Sequence, residues 1–142
     1  MRAGLLALLL SLAATAAAQD IPGVDNATRA QVNYMLNCQG CHGPDGAGTT
    51  DGAVPTMKDF VGKFLTVAEG REFLIRVPGS ANAALTDAAL AELLNWMLPQ
   101  ISPGLIPADF QPYTEAEVAK WRSAPLEDVI GEREKLIARM AQ

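Results

Sequence analysis

The chain is poor in the residues that usually carry chemistry: two cysteines and one histidine in 142 residues. That set falls short of the four ligands a structural zinc site needs. Basic residues are scarce too. Eleven Lys and Arg stand against 16 Asp and Glu, giving a formal charge of −5 and a pI of about 4.7. This balance excludes nucleic acid, whose binding needs a basic face, and suits a basic patch on a protein partner. Aromatic residues make up only 6%, so something other than stacked rings is expected to fill the core. Nor is there an apolar run of the ~20 residues that a spanning helix needs, so no integral membrane span is expected.

The first 18 residues, MRAGLLALLLSLAATAAA, have the layout of an export signal. Arg2 supplies the positive start, Leu5 to Leu12 the apolar stretch, and Ala16-Ala17-Ala18 the small-residue cleavage site. Cleavage after Ala18 is expected, and no cysteine follows to carry a lipid. The mature chain is expected to be soluble and exported to the periplasm, an oxidising compartment.

The remaining elements have helical period, and no alternating strand pattern occurs, so the fold class is all-α. Residues 27–38 place Val32, Met35 and Leu36 at i, i+3, i+4, with Asn26 or Thr28 as the cap. Residues 43–55, GPDGAGTTDGAVP, are too rich in Gly, Asp and Pro for anything but loop. Thr56 and Asp59 have capping-box spacing, ahead of an apolar face of Met57, Phe60, Val61, Phe64 and Leu65. A short helix, REFLIRV, is expected to stop before Pro78-Gly79. A longer one from about Thr86 to Leu98 carries the stripe Leu90, Leu93, Leu94, Met97 and Leu98. Pro99, Pro103, Pro107 and Pro112 mark the following stretch as an extended linker. The expected division is a signal at 1–18, a domain at 19–100, and a linker with amphipathic helical tail at 101–142. Within the tail, Thr114 and Glu117 form a capping box, and Leu126, Val129, Ile130, Leu136, Ile137 and Met140 form a stripe. The tail either packs back on the domain or docks a partner.

All the cysteine and histidine fall in one run, Cys38-Gln39-Gly40-Cys41-His42. This is C-x-x-C-H, the haem-attachment signature. Two thiols three residues apart at the end of a helix can each form a thioether with one haem vinyl group. The adjacent His42 is then held under the iron as an axial ligand. A thioredoxin-like redox pair has the same C-x-x-C but wants a βαβ context that is missing here. One covalent haem c per chain is the expected cofactor.

Around this motif the sequence resembles the class I, monohaem, bacterial c-type cytochromes over residues 26–98. An aromatic, Tyr34, precedes the first cysteine by four residues, and a small residue, Ala30, lies four earlier still. Leu93 and Trp96 occupy the matching places in the last helix of that domain. In the family these four interlock where the first and last helices cross. His42-Gly43-Pro44-Asp45-Gly46 and then Pro55 match the glycine-rich loop and the proline region that accepts a hydrogen bond from the ligand histidine, fixing its orientation. The resemblance implies a small helical domain around a covalent haem, with a helical C-terminal extension.

One family feature is missing. The loop before the last helix, residues 78–85, usually carries a methionine ligand and here has no Met, His or Lys. Met57, two residues after Pro55, is the methionine best placed to replace it, although family members usually have an apolar haem-wall residue there. Asn82 in the loop, a water, or an open position are the alternatives. Arg71 and Arg76 are candidate distal polar groups, with a solvated face or a propionate contact as the favoured readings. The expected function is electron transfer rather than catalysis, with an exported dehydrogenase, oxidase or other redox protein as partner. An open sixth position would favour a small-ligand sensor or peroxidase-like protein instead. Docking through the tail would favour a subunit of a larger redox complex.

Overall fold

The computed structural model describes residues 20–141, so the expected export signal at 1–18 lies outside the described residues. Among them there are helices, turns and loops but no strand. In chain order the helices are α1 (Ala27–Asn37), α2 (Gln39–His42), α3 (Gly70–Arg76), α4 (Pro78–Ala81), α5 (Asp87–Ile101), α6 (Glu115–Arg122) and α7 (Val129–Met140), with a 3₁₀ turn at Val61–Thr66 between α2 and α3. No helix of the described residues is long and apolar enough to cross a membrane.

The central element is α5. Thr86 caps it by accepting a hydrogen bond from the Ala89 N–H, and Leu90, Leu93, Leu94, Met97, Leu98 and Ile101 are all buried. It runs three residues past the expected end and carries Pro99 inside its last turns. The expected break at Pro99 is therefore corrected: the apolar stripe continues to Ile101, whose burial favours continuation over the hydrogen bond the proline cannot donate.

α1 packs against α5 and is capped by Asn26, whose side chain accepts from the Arg29 N–H at 2.9 Å. Its buried face is Ala30 and Tyr34. The expected stripe is overturned, since Val32, Met35 and Leu36 are 45%, 52% and 77% exposed. Tyr34 sets the rotation of the helix instead. Its hydroxyl donates to the Gly43 carbonyl at 2.7 Å, and its ring lies 5.9 Å from that of Trp96 on α5.

Two buried polar residues of α5 fasten the segments that lead into α1 and α6. Glu92, 6% exposed, accepts from the N–H groups of Asp25 and Asn26 and from the Arg29 guanidinium. Asn95, 1% exposed, donates to the carbonyls of Gly23 and Tyr113 and accepts from the Tyr113 N–H. Every polar atom of the buried amide is thus used, as its burial requires.

The helix expected from Met57 is reduced to the 3₁₀ turn. Thr56 caps nothing, because the Met57 and Lys58 N–H groups are taken by the Gly46 carbonyl, at 2.7 and 3.0 Å. Asp59 adopts a left-handed φ of 50°, which interrupts helical geometry. Residues 78–81, expected as loop, form the single turn α4.

The tail packs back on the rest. Tyr113, Val118 and Leu136 belong to the same apolar core as Tyr34 and Leu98, α6 packs on α5 and α3, and α7 packs on the 3₁₀ turn. Arg71 and Arg76 take part in this docking. Arg71 pairs with Glu117 at 2.6 Å, donates to the Gln111 carbonyl, and stacks over the Tyr113 ring. Arg76 donates to the Ala124 carbonyl and its own carbonyl accepts the Leu126 N–H.

Candidate functional site

Cys38 ends α1, and its carbonyl accepts the N–H groups of both Cys41 and His42, at 3.2 and 3.0 Å. The chain breaks direction there, with φ −125° at Cys38, and restarts as the single turn α2. Cys38, Cys41 and His42 are thereby placed on the border of one cavity of about 350 Å³, within the usual size of small-molecule sites. Its lining is predominantly apolar. Val61, Phe64, Leu93, Leu94 and Met97 belong to the core side, and Val77 to Ser80 to another side. A hollow of about 460 Å³ lies elsewhere, over Glu92 and Arg29. It is the larger of the two, but it is shallower and its charged groups already satisfy each other.

The two thiols are not bridged. Cys38 is half-buried, and burial together with the neighbouring Cys41 pushes its thiol pKa up to about 11, so it holds its proton at neutral pH. Cys41 is exposed. Burial lowers the pKa of His42, against an opposing pull from the Pro55 carbonyl. The imidazole is therefore neutral at neutral pH, the form that ligates metal.

Nδ1 of His42 is buried without a hydrogen-bond partner. The Pro55 carbonyl acts on the ring without forming a regular hydrogen bond to it.

The loop after His42 holds Pro55 in place. The Gly48 N–H donates to the His42 carbonyl at 2.9 Å, and the Thr49 N–H to the Val54 carbonyl at 3.0 Å. Gly48 has φ +74°, and a Cβ there would come within 3.0 Å of the Pro55 carbonyl oxygen and carbon. Only glycine allows this approach. Met57 lines the cavity as well. Its N–H donates to the Gly46 carbonyl at 2.7 Å.

Of the other expected groups, Asn82 is exposed and does not border the cavity; its N–H only closes the α4 turn. Arg71 and Arg76 do not border it either, being engaged by the tail. Two residues at the cavity escaped the sequence reading. Met97 is one, a buried member of the α5 stripe. Arg133 of α7 is the other, bordering the cavity beside Val129. The signal for it was present: Val129, Arg133 and Leu136 share one face of α7, and an arginine interrupts that apolar stripe.

No three of His, Cys, Asp and Glu converge as a metal centre among the described residues. The thiols and imidazole are instead spread along one cavity. Their donor set suits a planar group bonded at two edge points and ligated once, so these residues fit a covalent haem. No protein-family model matches this sequence, and no curated protein matches it.

Proposed function

We propose that the protein is a periplasmic electron carrier of the class I c-type cytochrome kind, with one haem bound covalently to Cys38 and Cys41. One observation carries the reading: the chain's two cysteines and its sole histidine border the same apolar cavity. Each thiol would add across a vinyl group, its sulfur bonding one carbon and its hydrogen going to the other, so no oxidant is needed. When bound, the iron supplies one-electron exchange between ferric and ferrous states.

The chain's own residues do the rest. His42 offers a neutral imidazole. The Pro55 carbonyl, whose close approach Gly48 permits, would orient it and raise its basicity on accepting from Nδ1. Val61, Phe64, Leu93 and Leu94 exclude water from the faces of the group. An exported redox enzyme or carrier is the proposed partner.

The test is maturation of the full-length chain in cells that attach haem, followed by acid–organic extraction and intact-mass measurement. Retained colour with the mass of one haem is expected. Loss of all haem on extraction would overturn the reading.

A second reading, an open sixth position, is favoured by the segment from Val77 to Ser80, which borders the cavity and brings no sulfur, imidazole or amine to it. In this case the ferrous protein is high-spin and binds CO. A low-spin ferrous spectrum indifferent to CO would favour Met57 as ligand and the dedicated electron carrier.

A further inference from the structure

Among the described residues, Arg133 is the only charged side chain bordering the 350 Å³ cavity. Its situation differs from that of every other described arginine. Arg29 pairs with Glu92, Arg71 with Glu117, Arg76 with Glu72, Arg122 with Asp87, and Arg139 with Glu69. Arg133 alone has no carboxylate partner among the described residues. What it has is an aromatic face, with its guanidinium 5.3 Å from the centre of the Phe60 ring.

A guanidinium partly withdrawn from water at the border of an apolar cavity is poorly compensated by a ring alone. It is also a planar fork of donors shaped for a carboxylate. The helix that carries it is firmly seated. Leu136 is 2% exposed, Asp128 caps the helix through the Gly131 N–H, and Arg139 pairs with Glu69 near its far end. The backbone at Arg133 is thus held beside the cavity by its neighbours.

We propose that Arg133 is the counter-ion for a carboxylate of the group that fills this cavity, and that α7 is therefore part of the binding site. The inference rests on the haem reading, under which the carboxylate is a propionate. The tail then completes the cofactor site, giving the extension a role beyond stability. Its removal would unseat one end of the bound group without touching Cys38, Cys41 or His42.

The experiment compares wild type, R133Q and R133K, all full length and matured with haem. Intact mass is measured first. If the wild type carries no covalent haem, the function proposed above has failed, and this inference with it. With haem attached, two quantities are read at low ionic strength: the reduction potential and the hydrogen–deuterium exchange of residues 129–140. In R133Q the propionate loses its cation, so the ferric form is favoured and the potential falls; R133K returns most of the shift. Exchange in α7 rises several-fold in R133Q and stays near wild type in R133K. An unchanged potential in haem-bearing R133Q, whether or not α7 exchanges faster, would overturn the assignment and leave Arg133 as a stacking residue only.

Discussion

At the scale of single residues, the candidate site depends on a few positions where one atom type is required. Gly48 is the clearest. An alanine there must both hold a left-handed backbone, at about 1–2 kcal/mol, and push against the Pro55 carbonyl. G48A is expected to lower unfolding stability by at least that much in a denaturant titration. In haem-bearing protein it should also alter the spectroscopic signature of the histidine–iron bond, since Pro55 moves. Glu92 makes a different demand. The hydrogen bond from Arg29, set against burial, holds its carboxyl below the ordinary value of 4.5. A depressed pKa in the folded state means the contribution is present above pH 4.5 and lost as pH falls through the folded value. Acid unfolding curves should show it: E92Q is less stable than wild type at neutral pH, and the difference shrinks toward pH 3. A constant difference across that range would remove Glu92 from the acid response.

At the scale of elements, α5 carries the most burial, and truncating it should cost the most. Leu98 is fully buried, and L98A is expected to destabilise by about 2–5 kcal/mol, read from the shift of the denaturation midpoint at constant slope. This helix was also the most legible in the sequence, because five apolar residues at helical spacing leave one rotation possible. The caps Asn26 and Thr114 were legible for the same local reason, as was the placement of Cys38, Cys41 and His42 at a helix end. What was not legible was decided at a distance. The face of α1 was misread because Tyr34, a single aromatic bonded to Gly43, outweighs three aliphatic residues that stay exposed. The helix at Met57 was lost because Asp59, whose N–H donates to the distant Ile101 carbonyl, takes a left-handed backbone that helical geometry does not allow. Arg71 and Arg76 looked like cavity residues on their own helix, but their partners Glu117, Gln111 and Ala124 lie some 40 positions or more along the chain. Local pattern holds no record of such meetings.

At the scale of the whole molecule, the excess of acid over base is the property a partner meets first. With a formal charge of −5, electron exchange with a basic redox protein should slow as salt is raised, because encounter is steered by unscreened charge. Stopped-flow rates at low and high ionic strength check this, and a flat response would mean that the proposed partner docks through uncharged contacts. The tail belongs to the same scale, since it closes the molecule on itself. Arg122 of α6 shows how. Its guanidinium donates to the carbonyls of Ala81, Ala83 and Leu85 and pairs with Asp87, gripping the turn between α4 and α5. On the proposed export route, N-terminus first, that turn emerges well before Arg122, and Cys38 and His42 emerge earlier still. The chain is then a vessel whose lid is made last: under the haem reading, a rigid, bulky group would meet Cys38 and His42 before the final stretch of chain arrives to shut it in.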